Sequence, residues 1–84
     1  MNNTTPTLFT VRVYCDDATM TVETNSTAVM LDHFDAALEG DVPCEVICGT
    51  TGEILASHDC GCGDYASDAF IGLFLADAMT QFLN

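Results

Sequence analysis

The stretch CEVICGTTGEILASHDCGC, residues 44–62, decides how this chain folds. CEVIC (44–48) and EILAS (53–57) are short apolar runs around GTTG (49–52), the signature of a β-hairpin with a four-residue loop. In the simplest register Cys48 faces Glu53, Ile47 faces Ile54, Val46 faces Leu55 and Cys44 faces Ser57. HDCGCG (58–63) then reads as a tight connection whose glycines relieve backbone constraint.

The same stretch carries four of the five cysteines and one of the two histidines, so it is also a candidate metal site. Zinc needs four ligands converging as a tetrahedron. Cys44 and Cys48 share a strand face, and at the usual strand rise their Cα atoms lie roughly 13 Å apart, too far for one ion. Cys60 and Cys62 flank Gly61 and can chelate together, with Cys44 and His58 completing a zinc-ligand set of Cys60, Cys62, Cys44 and His58. In the competing reading the chain holds no cofactor, and Cys44 and Cys48 are small buried hydrophobes. A Cys60–Cys62 disulfide is strained. Thiol redox chemistry there is opposed by Asp59 and Asp64, which disfavour a thiolate.

Upstream, MNNTTP (1–6) is a polar, flexible leader, and residues 7–84 form one domain. In TLFTVRVYC, Phe9, Val11, Val13 and Cys15 alternate with Thr10, Arg12 and Tyr14, the period of a half-buried strand. Asp16 and Asp17 make a turn. ATMTVET alternates again, with Met20 and Val22 on one face. NSTAVMLDHFDAALEG is a helix that Ser26 or Thr27 can cap and that Gly40 can end in a left-handed conformation. Met30, Leu31, Phe34, Ala37 and Leu38 form its apolar face, with Asp32, Asp35 and Glu39 on the other side.

Downstream, Asp64 or Ser67 caps a second helix running to about Leu83. Ile71, Leu75 and Met79 widen its apolar stripe until it is apolar on most sides. Such a helix is buried centrally or covered by a partner, and a homodimer through this last helix is one expectation. The order is β-β-α-β-β-α. It predicts a single small α+β domain, a mostly antiparallel sheet packed on two helices.

Thirteen carboxylates stand against a single cation, Arg12, for a net charge of −12, while 49% of residues are hydrophobic. That composition argues for a folded core and against direct binding to nucleic acid or an anionic membrane, which need lysine and arginine. No nucleophile elbow, phosphate loop or dinucleotide fingerprint is present, so the chain does not read as an enzyme. His33 reads as a surface residue beside Asp32 and Asp35. The opening MNNTTPTLF lacks the basic and apolar regions of a secretory signal, which predicts a cytoplasmic location.

The acidic stripe Asp32, Asp35 and Glu39, extended by Asp41, Asp16 and Asp17 at loop ends, is the predicted partner-binding surface. It suits a basic protein surface, steered by the partner's field. The same acidity also fits a salt-loving host, where it keeps proteins dissolved. In size, acidity and mixed α/β pattern the chain resembles small phage-encoded inhibitors of host defence, including anti-CRISPR proteins and other nucleic-acid mimics. That resemblance implies a nucleic-acid-handling partner complex in a prokaryotic cytoplasm, and a site that blocks its nucleic-acid groove.

Overall fold

The computed structural model describes residues 7–59 and 63–83. Among these residues the elements are β1 (Phe9–Tyr14), β2 (Thr19–Thr24), α1 (Thr27–Glu39), β3 (Cys44–Cys48), β4 (Ile54–Asp59), β5 (Gly63–Ala66) and α2 (Asp68–Leu83). The strands form one antiparallel sheet in the order β2-β1-β3-β4-β5. The expected α+β order is found, with one added strand. The leader (1–6), Cys60, Gly61, Cys62 and Asn84 lie outside the described residues.

Both helices pack on one face of the sheet. The domain measures 41 × 38 × 21 Å, so it has room for one sheet and one helix layer. Alternation in β1 sends Phe9, Val11 and Val13 into the core and leaves Arg12 and Tyr14 on the open face. Val11 pairs with Val22 and Val46, and Val46 pairs with Ala56, which makes one apolar row across the sheet. Met30, Leu31, Phe34 and Ala37 of α1 close over that row. Met30, Val11 and Val46 are the largest fully buried side chains. The strand stops at Tyr14, so Cys15 is exposed in the turn, where its N–H donates to the Ala18 carbonyl (3.0 Å). Met20 is exposed as well, near the end of the edge strand β2, whereas Val22 of the same strand packs on the core.

Four details depart from the expected pattern. First, Cys44 pairs with His58 rather than Ser57, and Val46 with Ala56 rather than Leu55, although Ile47 does face Ile54. A bulge at Leu55 shifts the register by one and turns Ala56 inward. Second, residues 63–66 add a strand to the sheet edge instead of a plain connection. Asp64 therefore lies in β5, and Ser67 is the cap of α2: its Oγ accepts from Phe70 N–H (3.2 Å) and its carbonyl from Ile71 N–H (3.0 Å). Third, Gly40 is right-handed, with φ −84°. The left-handed residue is Asp41, with φ 53°. The Asp41 N–H donates to Leu38 (3.0 Å) and the Val42 N–H to Ala37 (2.9 Å), which is a Schellman ending displaced one residue past the glycine. Fourth, α2 is not central. Only Phe70 is buried, and Leu73 is half-buried.

Candidate protein-binding groove and acidic pole

The β4–β5 pairing positions the groove. The Ser67 N–H donates to the Leu55 carbonyl (2.8 Å), which continues the Ala56–Ala66 register by one rung and fixes where α2 begins. Three residues later Phe70 meets Phe34 of α1 edge to face, with ring centroids 5.3 Å apart and an interplanar angle of 71°. Ser26 caps α1 by accepting from the Val29 N–H (3.2 Å). Beyond the Phe34–Phe70 contact the two helices leave a cavity of about 590 Å³ between them. Leu31, Phe34, Leu38, Phe70 and Phe74 are among the apolar residues lining it. Asp32 and Asp35 line it from α1, and Asp77 from α2. The Gln81 amide donates to Asp77 (2.8 Å) and orients that carboxylate. An apolar floor with an acidic rim fits an apolar side chain flanked by lysine or arginine.

The predicted acidic residues thus fall into two groups. Asp32 and Asp35 are at the groove. Glu39 is exposed one helical step further on, where α1 runs toward one end of the sheet. That end also carries Asp16 and Asp17 in the β1–β2 turn, Asp41 after α1, Asp59 at the end of β4 and Asp64 in β5. The antiparallel order gathers these segments, and forms an acidic pole from residues far apart in the chain.

His58 sits in this pole between two carboxylates. Its Nδ1 is 2.5 Å from Asp64 Oδ1 and its Nε2 is 2.9 Å from Asp41 Oδ1. A neutral imidazole has one N–H and can donate to only one of them, whereas the imidazolium donates to both. The bond to Asp64, and next the bond to Asp41, therefore raise the His58 pKa above its ordinary value, against a smaller opposing effect of burial. Once protonated, the ring ties the end of α1 to β4 and β5. It also offsets Asp41, a carboxylate at the negative end of a helix in a left-handed conformation. No local spacing signals this cluster, because Asp41 lies 17 residues away and Asp64 six.

Of the four candidate zinc ligands, Cys44 and His58 are cross-strand neighbours, with Cys44 buried. Cys60 and Cys62 lie outside the described residues. Asp41 and Asp64 take opposite nitrogens of His58, and no three potential ligands converge among the described residues. Cys48 is half-buried rather than a core residue. Its Sγ is 3.2 Å from the Thr50 hydroxyl, and hydrogen bonds from the Thr50 and Thr51 side chains, then from their backbone, lower its pKa to about 7. On the open face Tyr14 donates to Glu45 (2.9 Å), and Arg12 lies 3.6 Å from the same oxygen. The Tyr14 pKa is raised, by partial burial first and then by Glu45.

No family model, no curated protein and no solved structure matches this chain. No helix among the described residues is long and apolar enough to cross a membrane.

Proposed function

We propose that this chain is a non-catalytic, acidic protein-binding module that occupies a basic, nucleic-acid-binding surface of a partner. The observation that carries the reading is the α1–α2 groove, where Asp32, Asp35 and Asp77 border an apolar floor. The rim attracts lysine and arginine, and the floor takes the apolar side chain between them. Glu39 and the acidic pole extend the negative field beyond the groove, which speeds encounter with a basic surface. On the resemblance to phage-encoded inhibitors, the partner is a nucleic-acid-handling defence complex in a prokaryotic cytoplasm.

The test uses an amphipathic basic helical peptide with leucine or phenylalanine on one face. Backbone amide shifts should move at Leu31, Phe34, Phe70 and Phe74, and binding should weaken as salt rises. The triple variant Asp32→Asn, Asp35→Asn, Glu39→Gln should bind at least tenfold more weakly while its circular dichroism stays unchanged. Unchanged affinity in that variant, or shifts confined to the open sheet face, would remove the groove as the site.

The zinc reading ranks second. Its support is the Cys44–His58 cross-strand pairing. Its cost is that a metal on either His58 nitrogen displaces a carboxylate now bonded there. A melting temperature indifferent to chelator counts against it.

A further inference from the structure

The side of α2 that faces away from the groove is more apolar than a solvated helix needs. Leu75 is 56% exposed, Met79 59%, Phe82 86% and Leu83 75%. Ile71, by contrast, lies on the groove side. With large side chains offering roughly 150–250 Å² each, the four outward residues leave about 550 Å² of apolar surface uncovered. That is near the upper end for the largest apolar patch on a monomer, about 300–600 Å². Two such faces offer at most about 1,100 Å² for burial, at the lower limit of about 1,000 Å² for a specific interface.

The spacing on this side is that of a coiled-coil seam. Asp68, Gly72, Leu75, Met79 and Phe82 alternate by four and three residues. The seam is self-complementary when two copies run antiparallel about a point beside residue 77. Leu75 of one copy then meets Met79 of the other, and Gly72 meets Phe82. The smallest side chain thus lies opposite the largest. A Cβ placed on Gly72 would meet nothing within 4 Å in the monomer, so the notch is open. A glycine inside an exposed helix weakens it relative to alanine, and nothing in the monomer's own packing requires one here. Asp68, the one charged residue of the seam, falls outside the overlap. The antiparallel arrangement also sets the helix dipoles head to tail. The centre of this face carries no carboxylate to attract a basic partner, so its self-complementary seam, and not charge, selects a second copy.

We infer that the outward face of α2 is a two-fold homodimer interface, with Leu75 packing on Met79 and Phe82 filling the Gly72 notch of the other copy. Sedimentation equilibrium at tens of micromolar should give twice the 9.0 kDa chain mass. Leu75→Lys and Met79→Glu should each give monomers that keep the wild-type circular dichroism. Mixed one to one, they should form a heterodimer, because the new lysine and glutamate then face each other while the native Leu75–Met79 contact remains. Gly72→Leu should weaken the dimer at least tenfold despite its better helix propensity. Raising salt should tighten the dimer by screening the two −12 chains, opposite in sign to binding of a basic peptide in the groove. A monomeric wild type overturns the inference, including one that instead binds neutral phosphatidylcholine vesicles. So do single variants that remain dimeric, and failure of the mixture to pair overturns the antiparallel register.

Discussion

Gly49→Ala should be among the most damaging small substitutions in this domain, and the structure supplies the reason. A Cβ at Gly49 would lie 1.9 Å from the Thr7 carbonyl oxygen and 2.8 Å from its carbon. These are backbone atoms, which cannot swing aside as a side chain would. Relief requires a displacement of more than about 1 Å, given that carbon contacts settle near 3.5–4.0 Å. The chain entering β1 is held where the clash falls: Gly49 N–H donates to the Leu8 carbonyl (2.9 Å), and Leu8 N–H donates to Asn25 Oδ1 (2.8 Å). Losing one such bond costs about 1 kcal/mol, and the accompanying strain about 1–3 kcal/mol, for a total near 2–4 kcal/mol. A domain this size has only about 4–12 kcal/mol to lose. At about 4–8 °C per kcal/mol the melting temperature should fall by roughly 8–32 °C. Urea unfolding followed by circular dichroism, with an unchanged m-value, measures the loss. Gly52→Ala is the control. Gly52 has φ 79° with open space around it, so alanine there should cost only backbone strain, about 1 kcal/mol. A Gly49→Ala protein no less stable than Gly52→Ala would refute the close approach of residues 7–8 to the hairpin loop.

Two pH-dependent outcomes follow from the shifted groups. The raised His58 pKa means its contribution to stability is full below the ordinary value of 6.5 and is lost as pH climbs through the higher folded-state value. The lowered Cys48 pKa acts with opposite sign: its contribution is full above 9.0 and disappears as pH falls through about 7. A melting series in a Cys48→Ser background should therefore decline as pH rises above 6.5, and adding His58→Gln should flatten it; a slope that survives His58→Gln would show that the Asp41–His58–Asp64 contacts do not set it. In the native chain, alkylation at Cys48, read by peptide mass, should be half-maximal near pH 7, and Thr50→Ala should move that midpoint upward. A Cys48 rate that keeps rising to pH 9 in the native chain would rule out the hydroxyl bonds as its cause.

Half of the candidate groove was legible before any coordinates. Asp32 and Asp35 stand out because a helix places residues three apart on one side, but the expected opposition to the apolar face does not hold: Asp35 lies four residues after Leu31 and three before Leu38, and both carboxylates line the groove beside those side chains. Asp77 carries no such signal, because it stands in a helix that is apolar on most sides. Its position across the groove depends on where α2 starts, which the β4–β5 pairing sets through the Ser67–Leu55 bond. β5 was missed because GDYA has neither the length nor the alternation of a strand, and it pairs only because β4 presents an edge. The His58 contacts were missed because both carboxylates arrive from other elements.

What the sequence determined by itself is what depends on near neighbours. The alternation of Phe9, Val11 and Val13, the Ser26 cap and the α1 face all arise from interactions within a few residues, where backbone geometry fixes which side chains share a side. The tertiary structure decided what depends on pairing across the chain. It moved the left-handed turn from Gly40 to Asp41, where a bond to His58 from another strand supports an acidic residue in a conformation that otherwise favours glycine. It also left one side of α2 uncovered, because that helix meets the core through Phe70 and Leu73 and no element among the described residues packs on its other side. Burial is a property of what lies opposite a side chain, and an apolar period states only that something should lie there.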